Sequence, residues 1–475
     1  MNILFAASEA APFCKTGGLA DVAGSLPVAL AEGGDNVAVI LPLYAQVDGA
    51  WREKMTYRFY TYVDLAWRHE YCGVFSLEHR GVTWYFVDNE RYFRRAKLYG
   101  EFDDGERFAF FSRAVAELLP RLDHMPDVVH CNDWQTALVP VYLKDFAVRR
   151  EEYKRVRTVY TVHNIEYQGW LGEETVTDLL GLDRGWWNTG MLQMDGAVNL
   201  MKAGLMTADA VTTVSPTYAR ELRYPAFAHG LESVISAVSH KLTGVLNGID
   251  MVSFDPAADA ALPANYSASN LRGKTTCKAA LRRELGLSAE KGTPILAIVS
   301  RLVGHKGTDL ICQVFDQMME KGVQLVVLGM GAPGYEDFFR RAQERYPGRV
   351  ASCITYSDAL ARRIYAGADL YLMPSRSEPC GLSQMIAMRY GTVPIVRQTG
   401  GLNDSVRSCQ TGQSDGTGFV FANYNAWDML HVIGEAVSLY GSEGFRTVRR
   451  RCMEEDMSWG HSARIYRDIY GKLLG

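Results

Sequence analysis

The chain has 475 residues, enough for two large domains or about three smaller ones. With 48% hydrophobic and 22% charged residues it is neither a disordered nor a fibrous chain. Lys plus Arg total 50 against 54 Asp plus Glu, a net charge of −4, which offers no electrostatic footprint for nucleic acid or an anionic membrane and leaves room only for a local cationic pocket.

The first apolar run, Asn2–Ser8, reads as a short buried parallel strand and not as a signal peptide, since charge arrives at Glu9 and Lys15. Leu19, Val22, Ala23, Leu26 and Leu30 follow at helical spacing up to Gly33-Gly34, with Pro27 expected to kink or split the helix. Asn36–Leu41 is the next strand. Tyr57–Leu65, Tyr71–Leu77 and Thr83–Val87 alternate as antiparallel strands inserted in, or extending, the first sheet. Strands then recur at Asp127–Cys131, Arg157–Val162 and Ala210–Val214, with helices over Glu106–Leu119, Gln135–Phe146 and Val198–Met206.

A break is predicted at Asn247–Pro256, followed by a surface loop over 257–275 that leads into a helix. A second series has strands at Ile295–Ser300, Val323–Leu328, Val350–Ile354, Leu370–Met373 and Val393–Val396. Its helices fall near 307–321, 335–345, 358–367 and 381–390. This alternation predicts two doubly wound α/β domains, 1–246 and 247–458. A last helix, Trp459–Leu474, either closes the second domain or returns to the first. No run of 18 apolar residues occurs, so no membrane span is expected. The nine cysteines lack any C-x-x-C spacing, and the odd count predicts reduced thiols and a cytoplasmic setting.

In open α/β sheets, ligands bind beyond the carboxyl ends of the strands. Six segments lie at such ends. Lys15-Thr16-Gly17-Gly18 offers a charge and flexible backbone to a phosphate. Ser300–Gly307 places Arg301 and Lys306 five residues apart, one guanidinium fork and one point charge suited to a diphosphate. Met373–Leu382 brings Glu378 to an expected helix start before Pro379, where a carboxylate meets a polyhydroxylated ligand, with Cys380 and the amides of Gly381 and Leu382 beside it. Thr399-Gly400-Gly401, Val162-His163-Asn164 and His130–Trp134, which contains Asp133, complete the set. Taken singly, each has a plain alternative: a tight turn, solvated cations, a helix-cap carboxylate or a structural histidine. H-E-x-x-H, Asp-x-Asp and G-x-S-x-G are all missing, so neither a metal site nor a hydrolase nucleophile elbow is expected.

Together these segments resemble the bacterial glycogen synthase and plastid starch synthase family. The strongest matches are Lys15–Val22 (KTGGLADV), Tyr160–Trp170 (YTVHNIEYQGW), Leu246–Asp250 (LNGID), Arg301–Asp309 (RLVGHKGTD) and Tyr365–Leu402, which holds EPCGL. The resemblance implies two Rossmann-like domains facing across a cleft, the GT-B type of glycosyltransferase, without metal or other cofactor. It implies glucose transfer from ADP-glucose to the non-reducing end of an α-1,4-glucan (glycogen) with retention of configuration. Carried over by motif, Lys15 and Gly18 contact the donor, and Arg301 and Lys306 hold its phosphates near Gly381, Leu382, Thr399 and Gly400. Glu378 engages glucose hydroxyls, and His163 and Asn247 sit by the transferred sugar. Asp133, with Asn164, falls on the sugar and acceptor side, and Tyr356 on the adenine side. The chain departs from the family at Asn132, where a second His is common, and at Gly304, His305 and Asn403.

No paired carboxylates stand out for a double displacement, so front-face attack is expected, with His163 positioning the sugar. An α-glucan phosphorylase shares the two-domain plan but needs pyridoxal phosphate, and its cofactor motif is missing here. A non-catalytic glucan-binding protein would not be expected to keep Lys15, Arg301, Lys306 and Glu378 together.

Overall fold

Strands buried on both faces need helices on both sides, and the chain supplies them in alternation. The computed structural model describes residues 1–409 and 415–475 and divides them into two units, Met1–Gly248 with Trp459–Gly475, and Ile249–Ser458.

The first unit contains β1 (Asn2–Ala6), β2 (Asn36–Pro42), β3 (Thr56–Leu65), β4 (Arg68–His79), β5 (Val82–Asp88), β6 (Val128–Asn132), β7 (Arg157–Val162), β8 (Trp170–Leu171), β9 (Gln193–Met194), β10 (Ala197–Asn199), β11 (Ala210–Thr213) and β12 (Leu242–Gly244). Nine of them form one sheet in the order β12-β11-β7-β6-β1-β2-β5-β4-β3. The antiparallel β3 and β4 extend this sheet through β5, which pairs in parallel with β2. β1 lies between β6 and β2, the point where the strand order reverses.

Two elements differ from the sequence reading here. The helix Gly18–Glu32 continues through Pro27 without being split. The missing hydrogen bond and ring clash cost about 3 kcal/mol, but Leu19, Val22, Leu26, Val28 and Leu30 are all buried, at about 1.5–3 kcal/mol for each large apolar side chain. Val198 starts no helix: Ala197–Asn199 pairs with β8 and β9, and Asn199 then caps a helix over Leu200–Thr207 by accepting from the Lys202 amide.

The terminal helix Trp459–Leu474 packs in this unit. The Tyr470 hydroxyl is 2.6 Å from Nδ1 of His130, whose Nε2 is 2.6 Å from Thr161 Oγ1. Burial lowers the His130 pKa to about 3, so this bridge works as a neutral imidazole. Arg467 adds an ion pair to the buried Asp35 at 2.9 Å.

The second unit holds β13 (Ile295–Val299), β14 (Gln324–Leu328), β15 (Val350–Cys353), β16 (Leu370–Met373), β17 (Val393–Arg397) and β18 (Phe419–Phe421), all parallel, in the order β15-β14-β13-β16-β17-β18. Its reversal point is β13, flanked by β14 and β16. The helix expected near 307–321 is two pieces, Thr308–Gln313 and Phe315–Glu320, broken at Val314 (φ −120°, ψ 26°). The break lets Leu310 and Ile311 from one piece and Phe315, Met318 and Met319 from the other all reach the core. Strand β18 and the helices Ala426–Leu439 and Glu443–Glu454 had no counterpart in the sequence reading. Among the described residues no helix is long and apolar enough to cross a membrane.

Candidate active site

Three loops of the second unit meet at the carboxyl ends of β13, β16 and β17. Close backbone approach locks them together. Gly307 has φ +78°, and a Cβ there would lie 2.1 Å from the Pro374 carbonyl oxygen. Gly400 has φ +43°, and a Cβ there would lie 2.0 Å from the Glu378 carbonyl oxygen. Only glycine fits either position. The Arg376 amide donates to His305 O at 2.8 Å, and the Gly401 amide to Glu378 O at 3.1 Å. Arg397 Nε donates to Ser375 O at 2.7 Å. The Tyr424 hydroxyl sits 2.5 Å from Asp309 Oδ1 and 3.1 Å from Gly304 O, under the Arg376 guanidinium.

This framework brings Lys306 and Glu378 into contact. Lys306 Nζ lies 2.6 Å from Glu378 Oε2, with the side chains 18% and 7% exposed. The buried Ser375 hydroxyl donates to the same oxygen at 2.9 Å. Glu378 is therefore not the helix-start carboxylate the sequence suggested: the helix begins at Ser383, and the carboxylate is held by a lysine and a serine. Arg301 is exposed on the same loop as Lys306, with Nη2 3.4 Å from His305 Nε2. Cys380 is buried, and Gly381 and Leu382 lead into the helix Ser383–Arg389. Thr399 is buried at the start of the helix Gly400–Ser405. Tyr356 stands apart from this cluster, 73% exposed beyond the edge strand β15.

In the first unit a second cluster forms at the ends of β1, β6 and β7. Asp133 Oδ1 accepts from the His163 amide at 2.7 Å and the Asn164 amide at 3.3 Å. Its backbone is strained, with φ +57° and ψ −179°, a conformation essentially confined to glycine that costs about 1–3 kcal/mol. Its amide is fixed on Thr161 O at 2.9 Å. Burial pushes the Asp133 carboxyl up to about 7 against the lowering effect of those two amides.

His163 Nε2–H donates to Asn132 Oδ1 at 2.8 Å, while Asn132 Nδ2 donates to Ala6 O at 3.0 Å. The Ala6 contact orients the amide, so the His163 tautomer is set and Nδ1 is left as the acceptor. Burial lowers the His163 pKa to about 3, which makes it a neutral ring and a poor base. Asn247 is buried beyond β12, and among the described residues its Oδ1 has no hydrogen-bond partner.

On the loop after β1, Lys15 Nζ is 2.7 Å from Asp21 Oδ1. Gly18 opens the helix Gly18–Glu32. Glu9, 2% exposed, accepts from both the amide and the hydroxyl of Thr16 at 2.6 Å each. Sequence reasoning missed Glu9, the anchoring role of Asn132, and Ser375. Asn132 left a trace as a departure from the family, and Glu9 only as a charge directly after an apolar strand. Among the described residues no group of three His, Cys, Asp or Glu could hold a metal ion.

Two doubly wound sheets, the second all parallel and the first extended by antiparallel strands, with cation-bearing loops at the reversal point of the second and a His–Asn–Asp cluster at that of the first, define a GT-B glycosyltransferase. Residues 2–237 match the family model of the starch synthase catalytic domain, and residues 284–443 that of glycosyl transferases group 1. The glycogen synthase of Anoxybacillus flavithermus is 45% identical over all of this chain and 98% of its own length. That of Geobacillus stearothermophilus is 46% identical with the same coverage. The catalytic domain of starch synthase IV from Arabidopsis thaliana, solved bound to ADP and acarbose, superposes with a TM-score of 0.92 at 35% identity, covering 100% of this chain and 99% of that one. The sucrose-phosphate synthase of Thermosynechococcus elongatus, at 18% identity and a TM-score of 0.61 over 100% and 99% of the two chains, shares the fold. The chain belongs to the glycogen synthase family.

Proposed function

We propose that this enzyme transfers glucose from ADP-glucose to the non-reducing end of an α-1,4-glucan, with retention of anomeric configuration. The observation that carries the reading is the Lys306–Glu378 pair, held at 2.6 Å beside Arg301 at the carboxyl ends of adjacent strands. A sugar nucleotide develops negative charge on its diphosphate and positive charge on its sugar ring as the anomeric C–O bond breaks. Lys306 and Arg301 meet the first charge, and preorganised cations act most strongly there. Glu378 accepts from a glucose hydroxyl. Gly381 and Leu382, with Cys380, Thr399 and Gly400, line the phosphate seat, and Tyr356 lies toward the adenine.

From the first unit, Lys15 and Gly18 face the donor. His163 accepts a sugar hydroxyl at Nδ1, and Asn247 Oδ1 takes a further one, which would satisfy its unpaired acceptor. Asp133, with Asn164, serves the acceptor side. In the chemical step the bond from anomeric carbon to phosphate oxygen breaks on the face where the acceptor O4 bonds. The acceptor proton passes to the departing phosphate oxygen, and ADP leaves. No protein base is needed, in keeping with an imidazole whose pKa is about 3.

A panel of nucleotide sugars with glycogen as acceptor tests this. The expected result is glucan elongation with the highest kcat/KM for ADP-glucose. Equal or better use of UDP-glucose would overturn the donor assignment, and no elongation with any donor would overturn the reaction.

A further inference from the structure

The Lys15–Gly18 loop has a weakness built into its sequence. Two adjacent glycines adopt many conformations and hold no shape by themselves. Gly17 occupies the N-cap of the helix Gly18–Glu32 and supplies no side-chain cap. Something outside the loop has to hold it. Among the described residues the acidic group buried against it is Glu9, which follows β1 and reaches across to Thr16, the residue between Lys15 and the glycines.

We propose that Glu9 is a positioning residue of the donor loop: its carboxylate clamps Thr16 by amide and hydroxyl and stands in for the missing helix cap, so that Lys15 is presented in one place. The proposal rests on the reading of Lys15 as a donor contact. The geometry supports a positioning role over simple core filling. A carboxylate taken out of water is costly unless hydrogen-bonded, and an apolar side chain would fill the space at less cost. Both bonds, at 2.6 Å each, go to a single loop residue instead of spreading through the core. Burial raises the Glu9 pKa, and the Thr16 bonds and the helix start oppose that rise by favouring the charged form. The amide of Thr16 is thus engaged by the protein's own carboxylate. The loop meets a diphosphate through the Lys15 ammonium, which in the free protein is paired with Asp21 at 2.7 Å.

The test compares the parent with Glu9→Gln and Thr16→Val by donor and acceptor kinetics and by limited trypsin cleavage after Lys15. The carboxamide of Glu9→Gln keeps the shape but turns one of its two ends into a donor. Thr16→Val removes only the hydroxyl. Both Thr16 bonds fall on one carboxylate oxygen, which the Gln carbonyl can still offer, so the variant turns two charge-assisted bonds into neutral ones and predicts a donor KM raised about tenfold in Glu9→Gln, with glycogen KM unchanged. Cleavage after Lys15 should accelerate to a similar degree without faster cutting elsewhere. Thr16→Val should move both readouts the same way by less, and the double variant should be no worse than Glu9→Gln alone.

Unchanged donor KM and unchanged cleavage in Glu9→Gln would overturn the proposal. So would a general loss, with both KM values and all tryptic sites affected together, since that marks a merely structural residue. If the parent transfers nothing from ADP-glucose, the functional reading falls while the cleavage arm still decides the clamp.

Discussion

Replacing Lys306 by Ala should damage catalysis and stability by separable routes. The ammonium lies 2.6 Å from Glu378, whose side chain is 7% exposed, so its removal leaves a buried carboxylate with Ser375 as its remaining partner among the described residues. Breaking a buried pair costs about 3–5 kcal/mol. Lys306 itself keeps 18% exposure, which puts the expected cost near the lower end, about 3 kcal/mol. For a unit of roughly 200 residues that lowers the unfolding midpoint by about 6–12 °C. Adding Glu378→Gln removes the stranded charge and should restore most of that loss. Catalysis should not recover. Loss of one preorganised charge-stabilising donor costs about 2.7–4 kcal/mol, roughly 10²–10³ in kcat, and the double variant has also lost the sugar carboxylate. Lys306→Arg should rescue rate only in part, because a planar fork cannot replace a point charge. The assay is kcat and donor KM at saturating glycogen, with calorimetry on each variant. A folded Lys306→Ala enzyme with near-parent kcat would refute the clamp. An unchanged midpoint would refute the energetic account of the pair.

Arg301 is exposed and on a loop, so Arg301→Ala should shift stability by under about 0.5 kcal/mol while kcat falls by roughly 10²–10³; parallel calorimetry and kinetics check both. The missing Asp-x-Asp motif predicts that EDTA leaves transfer intact; a large loss restored by Mg²⁺ would count against it. His163→Ala should lower kcat without changing the shape of the pH–rate profile above pH 5, because the ring is neutral there with a pKa of about 3. Asp133, raised from 3.8 to about 7 in the folded protein, keeps its proton where the unfolded chain has lost it, so its contribution to stability falls as pH rises between these values. Asp133→Asn should flatten that slope in denaturation curves taken across pH 4–7, and an unchanged slope would show that Asp133 is not its source.

The alternation of apolar runs and helical patterns was enough to read most of both sheets, because a strand buried on both faces has a continuous apolar sequence, while the short edge strands β12 and β18 escaped it. Elements whose shape depends on partners were less legible. Val198 looks helical until β8 and β9 claim it, and Pro27 looks disruptive until the buried face of its helix is counted. The site loops could be located because chemistry gathers at the carboxyl ends of strands, but their internal wiring could not. Asn132 was visible only as a departure from the family; its contact with His163 joins residues 31 apart in sequence. Glu9 was hidden because a lone carboxylate after a strand has no signature until its partner Thr16 is placed. Ser375 carries no more signal than any serine in a loop.

Sequence reasoning assigned Lys306 to the phosphates and Glu378 to the sugar, two ends of one substrate. Their contact at 2.6 Å makes these assignments interdependent. If Lys306 touches the leaving phosphate while bonded to Glu378, the carboxylate is within one hydrogen bond of the phosphate side, and the sugar hydroxyl it accepts must lie near the bond that breaks. The pair then brackets the scissile bond. As phosphate charge grows, Lys306 is drawn toward it and away from Glu378, and the carboxylate is freer to accept from the sugar just as the ring becomes electron-poor. An ion pair that weakens along the reaction coordinate has its largest influence in the transition state, where binding energy raises kcat. Glu378→Gln, which keeps the hydroxyl acceptor and removes the charge, should therefore lower kcat much more than it raises donor KM. An equal effect on both would place Glu378 in ground-state binding alone.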